Sequence, residues 1–89
     1  MIESVPAELW RDGQLLARGM CHLLSDDAGP QGGTVSRLEW LHGELELAGT
    51  ALDVCLEDGR RFAVRITRHS HPEGRTVLRF VSQQPVGRS

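Results

Sequence analysis

Lysine and tyrosine are both missing from this 89-residue chain: the ten basic residues are all arginine, and the aromatics amount to two tryptophans and two phenylalanines. The second shortage bears on function. Single-stranded nucleic acid is held by aromatic rings that stack on bases beside cations that neutralise phosphates, and here the same few rings must also furnish a core. Arginine in place of lysine is the usage of a GC-rich bacterial genome. Physically it supplies planar forks that pair bidentately with carboxylate or phosphate.

Long hydrophobic runs are missing too. No apolar stretch exceeds three residues, against the ~20 that a membrane-spanning helix needs. The opening Met1-Ile2-Glu3-Ser4-Val5-Pro6 has neither the basic start nor the apolar stretch of a secretory signal. The expectation is a cytoplasmic protein with no membrane partner. In that reducing setting Cys21 and Cys55 read as free thiols. Neither CxxC nor HxxxH occurs among Cys21, His22, His42, Cys55, His69 and His71, so no metal and no cofactor is expected. His69 and His71, two apart, are the pair best placed to share one side of a strand end.

The charge is present but lopsided. Residues 1–58 hold three arginines and eleven acids, net −8, and residues 59–89 hold seven arginines and one acid, net +6; together they give the formal −2. Such asymmetry suits association with a partner or a second copy.

At 9.8 kDa the chain is a single domain spanning 1–89. Turn signals recur at Asp12-Gly13, His42-Gly43, Ala48-Gly49, Asp58-Gly59 and His71-Pro72-Glu73-Gly74, with short alternating apolar runs between them. This pattern predicts an all-β fold, a six-stranded antiparallel barrel or sandwich. The glycine-rich 25–34 segment reads as a flexible loop, and the chain from about residue 84 as a disordered tail. Glu44-Leu45-Glu46-Leu47 alternates like a strand. An α+β alternative puts a helix in 7–24, with Leu9, Leu16, Met20, Leu23 and Leu24 on one stripe. Gly13 and Gly19 would each cost such a helix about 0.8–1 kcal/mol, which favours strands hinged at Asp12-Gly13 with a bulge at Gly19.

The clearest element is the hairpin at Asp58-Gly59. Leu52, Val54 and Leu56 must share a face with Phe62, Val64 and Ile66, which demands an odd-length loop. Glu57-Asp58-Gly59 places glycine where a bulged turn needs positive φ. Asp58-Gly59-Arg60 instead sets Glu57 opposite Arg61 and Asp53 opposite Arg65, so charge favours it.

Two surfaces stand out. Arg61, Arg65, Arg75 and Arg79 gather on the last hairpin and make a candidate anion, nucleotide or nucleic-acid site, unless Asp53, Glu57, Glu44 and Glu46 already hold them. Arg61-Phe62-Ala63-Val64-Arg65 also has an RxxxR spacing and in that is similar to PilZ domains, small barrels that bind a cyclic dinucleotide. The likeness ends there: the pair sits late in the chain, inside a predicted strand, and no [DN]xSxxG follows. The second surface is Leu16, Met20 and Leu24, the surplus apolar parity of a strand whose other parity serves the core, and hence a candidate interface. Catalysis finds no support. Cys21 and His22 are adjacent and point to opposite sides of a strand, and no nucleophile-elbow pattern exists. The reading is a non-enzymatic interaction or self-association module, with anion or nucleotide binding as the alternative.

Overall fold

The Asp12-Gly13 pair decides the start of the fold. Both residues take positive φ, 52° and 79°, the two-residue turn whose twist matches that of paired strands. It joins β1 (Ile2–Arg11) to β2 (Gln14–Asp26), followed by β3 (Gly29–Trp40), β4 (Ala51–Leu56), β5 (Arg61–Ser70) and β6 (Val77–Ser82). These come from a computed structural model that describes residues 2–27 and 29–83; the expected tail from residue 84 lies outside them. The strands close in the order β1-β2-β3-β6-β5-β4, with β4 pairing back onto β1, and all pairs are antiparallel. The protein is an all-β, closed six-stranded barrel, and the helix considered for 7–24 is strand.

The core follows from the alternation. Leu9, Cys21, Leu23, Val35, Val54, Val64, Ile66 and Leu78 are fully buried, with Phe80 1% exposed. Between β4 and β5 the loop is Glu57-Asp58-Gly59: Cys55 faces Arg61, Leu56 N–H bonds the Arg60 carbonyl at 2.7 Å, and Gly59 has φ 96°. Turn chemistry prevails because charge loses little by it. Arg61 reaches Asp53 diagonally at 3.2 Å, within the reach of a long side chain across a pair of strands.

Two segments differ from expectation. Of the expected 25–34 loop, residues 25–26 and 29–34 are instead the ends of β2 and β3, with Leu24 paired to Gly32 and Leu23 to Gly33. Gly32 and Gly33 serve close approach rather than flexibility. A Cβ on Gly32 would lie 2.6 Å from the Phe80 carbonyl oxygen, and one on Gly33 2.0 Å from that of His22. Glu44–Leu47 is not a strand either. It belongs to the 41–50 connection that carries the chain from β3 to β4, and Leu47 drops from it into the core, fully buried.

Candidate functional site

Register shifts decide which side chains reach the surface. In β2, Leu9 pairs with Ala17 but Trp10 with Leu15, so Leu16 is an extra residue. That bulge turns Leu16 inward, where it is 5% exposed. A second shift lies at Gly19, between Arg18 and Met20. Leu16, Met20 and Leu24 therefore do not share an open face: the first is in the core, the second half-buried, and only Leu24 is exposed.

Leu24 instead joins other company. Across the strands runs the row Ile2–Leu24–Gly32–Val81, in which Ile2, Leu24 and Val81 are 71%, 48% and 44% exposed. Gly32, with no side chain, leaves a trough between Leu24 and Val81. The groove is about 460 Å³, and Ile2, His22, Thr34 and Arg79 are among its lining residues. Contiguous apolar surface of this kind marks an association site more often than a solvent-facing wall.

A further shift of register, in β5, creates a quite different place. Ile66 pairs with Phe80, but Arg68 pairs with Arg79, leaving Thr67 as the extra residue. Unbroken alternation after Val64 and Ile66 would have sent Arg68 inward. The bulge sends His69 there instead, and its side chain is 1% exposed. Arg68 and Arg79 consequently face one another on the outside. Neither guanidinium has a partner among the described residues, an arrangement that like-charge repulsion disfavours unless an anion or acidic group meets it.

Around His69 a polar cluster assembles from three parts of the chain. Its ring stacks on Trp40 at the end of β3, with centroids 6.2 Å apart and planes 8° apart. Leu47 N–H, from the β3–β4 connection, donates to His69 Nδ1 at 3.1 Å. With Nδ1 thus an acceptor, the neutral ring carries its proton on Nε2, and Nε2 donates to Glu44 Oε2 at 2.8 Å. His71 Nε2 meets the same oxygen at 2.5 Å. Thr76 donates its hydroxyl to the other oxygen, Oε1, at 3.0 Å. Hydrogen bonds from His71 and then His69 hold the Glu44 carboxyl well below its ordinary range, at about 2. Glu46 Oε2 lies 3.4 Å from His69 Nδ1.

The arginines divide. Arg61 is held by Asp53 and Arg65 by the Gly49 carbonyl at 3.0 Å. The side chains of Arg75 and Arg79 have no partner among the described residues, and they are not neighbours: Arg79 lines the apolar groove, whereas Arg75 lines a separate cleft with Arg37, Trp40 and Glu44. The four do not form one site.

Both cysteines are free. Burial pushes the Cys21 thiol up to about 11, which suits a core residue rather than a nucleophile. No described helix is long and apolar enough to cross a membrane. Comparison with protein-family models, with curated proteins and with solved structures finds no match.

Proposed function

We propose that this barrel is a non-catalytic association module that pairs with a second copy of itself through the groove of Ile2, Leu24, Gly32 and Val81. The observation that carries the reading is the position of that groove on the seam between the oppositely charged parts of the chain. Ile2 and Leu24 come from the acidic residues 1–58 and Val81 from the basic residues 59–89. A two-fold contact through the seam would bring exposed acidic groups of residues 1–58, Asp27 among them, toward Arg68 and Arg79 of the other copy. An isologous contact then satisfies both charges twice. A reducing compartment such as the cytoplasm suits two unpaired thiols.

The test is solution mass by light scattering at roughly 0.05 M and 0.5 M salt, where the Debye length falls from about 14 Å to about 4 Å. The expected result is a dimer that weakens but persists at high salt, because the apolar row carries it. Leu24→Glu should shift the dimerisation constant at least tenfold and leave the fold intact. A monomer at millimolar concentration under both conditions would end this reading.

Anion or nucleotide binding stands second, favoured by the facing pair Arg68 and Arg79 rather than by Arg61 and Arg65. It requires salt-sensitive binding of a polyphosphate that Arg79→Glu abolishes and Arg61→Glu leaves in place.

A further inference from the structure

The spacing of histidines and cysteines in the sequence gives no ground for a metal, yet the fold brings three suitable donors together. We propose that Glu44, His69 and His71 bind a divalent transition-metal ion. Their ligand atoms all lie within 4.8 Å of one another. They come from the β3–β4 connection, from β5 and from the segment just after it.

The surroundings are arranged as a metal site requires. Trp40 fixes the plane of the buried His69 ring. Thr76 occupies Oε1 of Glu44 and leaves Oε2 turned to both imidazoles. A tetrahedral ion with bonds of about 2.0–2.1 Å needs its donors about 3.3 Å apart. The present 2.8 and 2.5 Å must therefore open by less than about 1 Å, which the half-exposed His71 and the Glu44 side chain can supply. Two imidazoles and one carboxylate suit zinc, cobalt or nickel and not the all-oxygen preference of calcium or magnesium. Three protein ligands leave a coordination position for water. Glu44 also forms a wall of the cleft of about 360 Å³ that Arg37, Trp40, Arg75 and Thr76 line, so that position has a route to solvent.

Ligation requires one internal change. His69 must present a lone pair at Nε2, so its proton moves to Nδ1 and the ring stays neutral. Glu46 Oε2, 3.4 Å from Nδ1, is placed to accept that proton's hydrogen bond, the carboxylate support common behind metal-bound histidine. The Leu47 N–H must then turn to the Glu46 carboxylate. This exchange keeps the expected affinity moderate and makes it visible.

The test is a calorimetric titration of zinc into the full chain at neutral pH, with histidine tautomers read from long-range ¹H–¹⁵N spectra. One ion per chain is expected. His71→Ala and Glu44→Gln should each weaken binding at least tenfold, while His42→Ala, an exposed histidine of the same connection outside the cluster, should change nothing. The His69 proton should be found on Nε2 without zinc and on Nδ1 with it. Absence of binding to the unaltered chain, binding that survives His71→Ala, or a His69 that keeps its Nε2 proton at saturating zinc overturns the proposal and leaves a cluster that holds protons alone.

Discussion

Two clasps tie distant parts of this barrel together, and they are built from different chemistry. At one, Arg60 grips Glu3 with a fork at 3.2 and 2.7 Å across 57 residues of sequence and holds Asp58 through a further bond at 2.9 Å. At the other, Glu44 receives His69, His71 and Thr76. Each lowers the pKa of a carboxylate, Asp58 through Arg60 and Glu44 through its two histidines. The arginine clasp lies in solvent, and its guanidinium keeps its charge at every pH a protein meets. The histidine clasp has one ring buried on a tryptophan and uses protons that can be moved or exchanged. The first can only fasten, whereas the second can fasten or take a ligand.

The sharpest way to break this comparison is at the buried ring. His69→Ala removes the stack on Trp40 and orphans the N–H of the fully buried Leu47. Loss of about 2 kcal/mol is expected in urea unfolding, the scale of a buried donor left without an acceptor. An effect no larger than that of an exposed substitution would mean that the ring is a passenger.

Acid should reveal both clasps at once. A carboxylate whose folded pKa lies below its unfolded value adds stability that is present above the ordinary carboxylate range and lost as pH falls toward the folded value. For Glu44 that window runs from 4.5 down to about 2, and Asp58 contributes in the same direction. Glu44→Gln and Asp58→Asn should each flatten part of the fall in unfolding midpoint below pH 5, with Glu44→Gln the larger. A slope that neither variant changes would assign the acid sensitivity elsewhere.

The smallest effect belongs to Arg60→Gln. All its partners are exposed, and pairs of this kind contribute little and are screened by salt. Its destabilisation should fall well short of that of His69→Ala and shrink further at 0.5 M salt. A large, salt-independent loss would show that the Glu3 tie is essential to closing β1 into the barrel.

The barrel itself was legible because its signals are local. Leu52-Asp53-Val54-Cys55-Leu56 and Phe62-Ala63-Val64-Arg65-Ile66 declare their faces by parity, and Asp12-Gly13 declares its turn. The surface was much less legible, because bulges rewrite parity without a local mark. Nothing near Thr67 says that it is an extra residue, yet that one shift exchanges Arg68 for His69 at the interior. Leu16 escaped the predicted strip in the same way. Glu44–Leu47 alternates as a strand would but finds no neighbour to pair with, and only Leu47 obeys the pattern by entering the core. His69 and His71 could be matched from sequence; Glu44, 25 residues earlier, could be matched to them only by the fold.

The place of β6 has a consequence for how the chain reaches its final form. Although last in sequence, it lies between β3 and β5. Without it the other five strands would make one open sheet, β3-β2-β1-β4-β5, with raw edges along β3 and β5. Exposed edges of that kind recruit other chains, and contacts between remote segments form slowly. β6 is thus a keystone: only with Val77–Ser82 in place are the edges of β3 and β5 both covered and the sheet closed on itself.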